Sequence, residues 1–216
     1  MKERPLIDLG MTGYDELFMN DTERREAALP KIYNIPLSEI DDFPDHPFQV
    51  RLDEDMDQLV ESVKERGVIT PITLRQKEDG RYEIVSGHRR RKACELAGLA
   101  TVPAEIKELT RDEAIILMVE SNLQRSTILP SEKAFAYKMK LEAIKRKAGR
   151  PPKDNLCQVG TNFRADKNVA ETSSESARTI QRYIRLTYLI SPILQMVDES
   201  RMAFNPAVEI SYMTPE

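Results

Sequence analysis

A chain of 216 residues and 24.8 kDa, 40% of them hydrophobic, has room for one large domain or two small ones with real cores, which excludes fibrous and wholly disordered classes. No run approaches the roughly 18 apolar residues of a membrane span and the N-terminus lacks a signal-peptide core, so a cytoplasmic protein with no membrane partner is expected; two cysteines and two histidines weaken disulfide, redox and metalloenzyme readings. The net charge of −4 hides a segregation: residues 1–130 sum to −8, residues 131–192 to +7 and residues 193–216 to −3, and a basic middle segment suits a phosphate-bearing partner.

Residues 1–30 are charged, poor in long apolar runs and closed by Pro30, the pattern of a flexible or weakly helical tail. Ile32 to Ile35 has strand composition, and the residues from Pro36 lead into a loop through Asp41–Pro47. Asp53 caps a helix in which Met56, Leu59, Val60 and Val63 recur at helical spacing until Gly67. Strands are expected at Ile69–Arg75 and Tyr82–Ser86, joined by the turn residues Glu78-Asp79-Gly80. Gly87 opens a helix to about Leu96, Val102–Ile106 is a further strand, and Thr110 with Glu113 forms a capping box before the helix Ala114–Leu123.

Beyond Pro130 the strand signals stop. Ser131 starts a long helix with an apolar side of Ala134, Phe135, Tyr137, Met139, Leu141 and Ile144 and a basic side of Lys138, Lys140, Lys145, Arg146 and Lys147. Gly149-Arg150-Pro151-Pro152 breaks it, and residues 149–163 read as a loop. A helix-turn-helix pattern follows near 164–189: a short helix ending at Val169-Ala170-Glu171, a polar turn, and a second helix from Ser176 to Leu189. In that second helix Ile180, Ile184 and Leu186 face inward, while Ser176, Arg178, Thr179, Gln181, Arg182 and Arg185 are candidates for the DNA-facing side. A helical bundle with a solvated basic face is the plain alternative.

The most informative local run is Val85-Ser86-Gly87-His88-Arg89-Arg90-Arg91, a strand, a glycine and a helix whose first turn is crowded with guanidinium groups. Cations are unfavourable at the positive end of a helix unless an anion sits among them, and arginine's fork suits phosphate oxygens. Glu120-Ser121-Asn122-Leu123-Gln124-Arg125 offers oxygen ligands and a cation at the end of an apolar helix, a set that suits magnesium with phosphate or, more plainly, a polar helix terminus. Gln49 and Arg51, in a proline-bearing loop, say little alone.

In this order the segments resemble the ParB family of partition proteins over about residues 31–213, most specifically in Gly67–Ile72 with Tyr82–Arg90, and in Asn122–Arg125 with Leu129–Ala134. The resemblance implies an α+β N-terminal ParB/sulfiredoxin-like nucleotide-binding domain at 31–130 followed by an all-α helix-turn-helix domain at 131–216. It implies a DNA-partition function of a plasmid- or mobile-element-like branch: binding of a centromere-like site in double-stranded DNA, a CTP- and Mg2+-dependent switch to a DNA clamp, a homodimer, a ParA-type ATPase partner, and nucleoid or plasmid association. A C-terminal dimerisation region is expected after residue 216. Carried over by motif position, Gln49 and Arg51, then Gly87, His88, Arg89 and Arg90, then Ser121, Asn122, Gln124 and Arg125 would surround CTP, with Asn122 at the metal.

Two positions depart from the family pattern. His88 and Ser121 stand where the motifs usually carry glutamate, so binding with slow or absent CTP hydrolysis is expected; His88 and Glu120 are the candidates for a hydrolytic role. Competing readings are a nucleotide-independent helix-turn-helix regulator and a kinase-type enzyme of the same fold. A sulfiredoxin activity is disfavoured, because Cys94 lies one to two turns inside the helix rather than after Gly87. Arg4, Arg24 and Arg25 in the tail are candidates for the ATPase contact.

Overall fold

The computed structural model describes residues 31–125, 127–147 and 175–213. The tail with Arg4, Arg24 and Arg25, the expected loop at 149–163, and the first helix and most of the turn of the helix-turn-helix lie outside the described residues.

Five strands form one mixed sheet in the order β1-β5-β3-β4-β2. They are β1 (Ile32–Pro36), β2 (Ile40–Asp41), β3 (Ile72–Gln76), β4 (Tyr82–Ser86) and β5 (Thr101–Lys107). β1 pairs antiparallel with β5, β5 parallel with β3, β3 antiparallel with β4, and β4 parallel with the short β2. The segment expected to be a loop after Pro36 is thus partly ordered: a 3-10 turn at Leu37–Glu39 delivers β2 to the sheet edge. The strand expected from Ile69 begins only at Ile72. Ile69 is 79% exposed, and the chain must first turn away from Gly67, whose φ of 71° ends the preceding helix.

Two helices cover one face. In α1 (Glu54–Arg66) the Asp53 carboxylate accepts the Met56 N–H at 3.0 Å, the cap expected there. α2 (His88–Leu96) follows β4 directly, so the parallel connection from β3 to β5 runs through β4 and α2. Met56 and Val63 of α1, Ala93 and Cys94 of α2, and Ile72, Leu74, Ile84, Val102 and Ala104 of the sheet form this core. Because neighbouring strand residues point to opposite faces, Val85 enters a second core with Phe43, Phe48 and the helix α3 (Arg111–Leu123). The Thr110–Glu113 capping box is formed, and α3 starts at Arg111, three residues before the apolar run.

The rest of the described chain is helical: α4 (Pro130–Lys147), α5 (Ala177–Arg185), a 3-10 turn at Leu186–Tyr188, α6 (Ser191–Asp198) and α7 (Phe204–Ile210). α4 is the spine. Ala136 and Ala143 pack against α3, Tyr137 and Leu141 meet Ile180 and Ile184 of α5, and Ala134 joins Leu186, Val197, Ala207 and Val208. Two residues leave the sides that periodicity assigned them. Phe135 is 41% exposed, whereas Lys140, expected on the basic face, is 1% exposed and donates to Glu120 at 2.8 Å. The second helix of the expected helix-turn-helix stops at Arg185, since the backbone tightens into the 3-10 turn that buries Leu186.

Candidate functional site

The run expected to bind phosphate, Gly87 to Arg91, sits where β4 becomes α2. Gly87 has φ 101°, and a Cβ there would lie 2.7 Å from Ile72 Cγ2 and 3.3 Å from Arg90 Cζ, so both conformation and space require glycine. The first intrahelical bond is Arg91 N–H to Gly87 carbonyl at 3.0 Å. The earlier amides of the turn therefore have no carbonyl within the helix and face outward with the positive end of the dipole.

The arginines differ. Arg89 is half-buried and donates to Asp53 at 3.2 Å, which ties the cap of α1 to the start of α2. Arg90 folds back to the carbonyls of Thr70 and Pro71 at 2.6 and 2.5 Å, fixing the loop before β3. Arg91 pairs with Asp42 and, at 3.2 Å, with Glu95.

The other two motifs meet this turn. In the 46–51 loop, Phe48 is buried and the Arg125 guanidinium lies 5.8 Å from its ring centroid. Arg125 is also within electrostatic reach of Arg89 and His88, so the three motif segments converge from distant parts of the chain. Gln49 is exposed and anchored by its backbone N–H to Glu132 at 2.9 Å; Arg51 and Gln124 are exposed. Asn122 is buried, with Nδ2 held by the Met118 carbonyl at 2.8 Å, and its amide oxygen is the hard ligand type that Mg2+ accepts. Among the described residues no group of three acidic, histidine or cysteine side chains could hold a metal, so phosphate oxygens and water would have to complete such a shell.

His88 is turned inward. It is 7% exposed and stacks on His46 with ring centroids 3.7 Å apart, and among the described residues neither of its nitrogens has a hydrogen-bond partner. Burial, then the neighbouring His46, Arg125 and Arg91, push its pKa down to about 3; burial also lowers that of His46. The pair is therefore uncharged at neutral pH. It borders a cleft of about 280 Å³ with Asp42, Val50, Arg91, Lys92 and Glu95. A larger groove, about 990 Å³, lies between the β3–β4 turn and the start of α3 and includes none of the residues picked out above as site candidates.

The acidic substitute is not turned toward this site: Glu120 pairs with Lys140 of α4. Ser121 is exposed and its hydroxyl donates to the Met118 carbonyl at 2.9 Å. Cys94 is buried and free, and burial pushes its thiol pKa up, the opposite of an activated thiol.

On the side of α5 expected to face DNA, Ser176 caps the helix by accepting the Thr179 N–H at 3.1 Å, and the two hydroxyls lie 2.8 Å apart. Arg178 and Gln181 are exposed. Arg182 and Arg185 point elsewhere: Arg182 donates to Asn205 at 2.5 Å over the Phe204 ring, and Arg185 donates to the Ser211 carbonyl at 2.5 Å between Tyr188 and Tyr212. Arg146 and Lys147, on the basic side expected of α4, are paired with Asp112 and Glu113 of α3.

Reading the sequence missed three participants. Nothing within the local sequence couples His46 to His88, or Phe48 to Arg125. Glu132 was visible only as one letter of a marker segment; its signal was a carboxylate in the first turn after Pro130, a capping position.

A family model described as ParB N-terminal domain matches residues 21–123, starting ten residues earlier than the expected domain boundary. The chromosome-partitioning protein Spo0J of Thermus thermophilus is 31% identical over 195 residues, 88% of this chain and 65% of that protein. The chromosome-partitioning protein ParB of Caulobacter vibrioides is 31% identical over 148 residues, 68% of this chain and 43% of that protein. The chain thus spans less than two thirds of the length of these relatives. A crystal structure of the C-terminally truncated chromosome-partitioning protein ParB from Caulobacter crescentus, complexed to the centromeric parS site, superposes with a TM-score of 0.52 at 25% identity, covering 84% of this chain and 86% of that one. Glycine turn, arginine-rich helix start, motif order and these likenesses agree: the chain belongs to the ParB family.

Proposed function

We propose that this protein is a DNA-partition protein that binds CTP with Mg2+ at the start of α2 and a centromere-like DNA site through α5. The observation that carries the reading is the convergence of the Gly87 turn, Arg89 and Arg125 beside the outward-facing amides of α2, a cradle for a triphosphate. Arg89 exchanges a half-exposed carboxylate, Asp53, for phosphate at small cost, because such surface pairs are worth about 0–1 kcal/mol. Arg90 shapes the cradle by holding the 70–71 carbonyls, and Asn122 presents an oxygen to the metal. The metal would neutralise phosphate charge and orient the triphosphate.

The relatives named as chromosome-partitioning proteins, together with the Caulobacter crescentus ParB solved with the centromeric parS site, support DNA as the partner. The protein acts as a homodimer on nucleoid or plasmid DNA and addresses a ParA-type ATPase through its N-terminal tail. Hydrolysis is slow or absent. With a pKa near 3, His88 is a poor proton acceptor, Ser121 bonds to its own helix, and Glu120 is tied to Lys140.

Calorimetric titration with CTP, ATP, GTP and UTP in the presence of Mg2+ tests the reading. Selective CTP binding that is lost in Arg89→Ala supports it. No binding to any nucleotide, with or without DNA, leaves a nucleotide-independent helix-turn-helix regulator instead.

A further inference from the structure

Four consecutive residues in the first turn of α4 reach both the 46–51 loop and the helices α5, α6 and α7. Ser131 N–H donates to Asp198 at the end of α6 at 3.0 Å. Glu132 accepts the N–H of Gln49 at 2.9 Å through one oxygen and that of Leu129 at 3.1 Å through the other. Lys133 reaches Glu175, two residues before α5, at 3.3 Å and lies 5.3 Å from the Tyr183 ring centroid. Ala134 is fully buried among Leu186, Val197, Ala207 and Val208. One turn of helix thus holds the 46–51 loop on one side and α5, α6 and α7 on the other.

From this geometry we infer that Glu132 is the positioning residue that couples the nucleotide cradle to the DNA-binding helices; the inference rests on the reading of those two sites given above. The carboxylate is 7% exposed and holds the loop by a backbone N–H, that of Gln49, not by a side chain, while its other oxygen is fixed by the Leu129 N–H, so the loop cannot shift without moving the turn or breaking the Gln49 bond. Beyond the turn α4 continues as a packed rod against Ile180 and Ile184 of α5, which transmits displacement because packed interiors do not deform continuously.

The coupling has a charge basis. Glu132 is within electrostatic reach of Arg125, the guanidinium over Phe48 in the cradle. An anion entering the cradle competes with Glu132 for that guanidinium, so ligand-free and ligand-bound cradles differ in how well the Glu132 charge is compensated. That difference is what a ligand needs in order to bias a conformational equilibrium. The reciprocal also holds: DNA that fixes α5 and α4 fixes the 46–51 loop.

Hydrogen exchange on the full chain, alone, with CTP and Mg2+, and with a duplex carrying the parS site, tests this. In the wild type CTP slows exchange in residues 175–189 as well as in 46–51, and the duplex slows exchange in 46–51. In Glu132→Ala each ligand protects only its own segment, and exchange at the Gln49 amide is at least about tenfold faster without ligand. Glu132→Gln, which keeps one acceptor oxygen, shows a partial loss, and it decides alone where circular dichroism shows that Glu132→Ala does not fold.

Cross-protection that persists undiminished in the variants, or that is absent from the wild type with both ligands, overturns the inference. A wild type that ignores CTP yet carries the DNA signal into 46–51, with the signal lost in the variants, removes the nucleotide reading and leaves the junction standing.

Discussion

At Gly87, two independent constraints act on one residue. A side chain would have to adopt φ near 101° and overlap Ile72, which is fully buried in the sheet and has no room to retreat. Gly87→Ala is expected to destabilise the chain by about 1–3 kcal/mol, read as a lower midpoint in urea, and to weaken CTP binding further. A midpoint equal to wild type would mean that the turn relaxes freely. The neighbouring histidines give a pH dependence. His88 is held neutral with a pKa near 3 against an ordinary value of 6.5, so the unfolded chain binds more protons between those values. Stability is complete above about pH 6.5 and falls as pH drops toward 3, by about 1–2 kcal/mol between pH 7 and 5. Thermal midpoints across that range should slope less in His88→Gln; equal slopes would place the titration elsewhere.

Among the elements, α5 separates arginines that hold the fold from those that can meet DNA. Periodicity put Arg178, Gln181, Arg182 and Arg185 on one polar side, but it cannot tell which of them another helix will take. Asn205 and Phe204 of α7 take Arg182, and Ser211 and Tyr212 just after it take Arg185, while Arg178 and Gln181 stay exposed. Arg185→Ala is therefore expected to lower the thermal midpoint, since it removes a bond to the Ser211 carbonyl and stacking between two rings worth about 0.5–2 kcal/mol. Arg178→Ala should leave the midpoint within error and weaken DNA binding, reducing the salt slope of affinity by about one if it meets phosphate. Gel-shift titrations at several salt concentrations separate these outcomes, and a stable Arg185→Ala that binds no DNA would return Arg185 to the interface. Ser176→Ala, which removes the cap of α5, should cost about 1 kcal/mol in stability.

At the scale of the molecule, the two halves are joined along α4, and much of this was legible beforehand. The β4–Gly87–α2 transition, the Asp53 cap, the Thr110–Glu113 box and the helix after Pro130 all follow from residues within four positions of each other, where backbone preference and capping chemistry act. β2 was missed because two residues carry no periodicity, and they pair only because β4 offers an edge. Lys140 was misplaced for a similar reason: helical spacing gave its angle, but Glu120, which lets a charge sit at 1% exposure, lies twenty residues away on another helix. The sequence by itself determined the local elements, their order and the three motif segments, since short-range sterics and hydrogen bonding decide them. Only the tertiary structure decided that His88 lies against His46 rather than in solvent, that Arg125 rests on Phe48, that Arg182 and Arg185 serve the fold, and that Glu132 grips the 46–51 loop. Each of those depends on which groups packing brings within a few ångströms, and side-chain periodicity specifies a direction, never a partner.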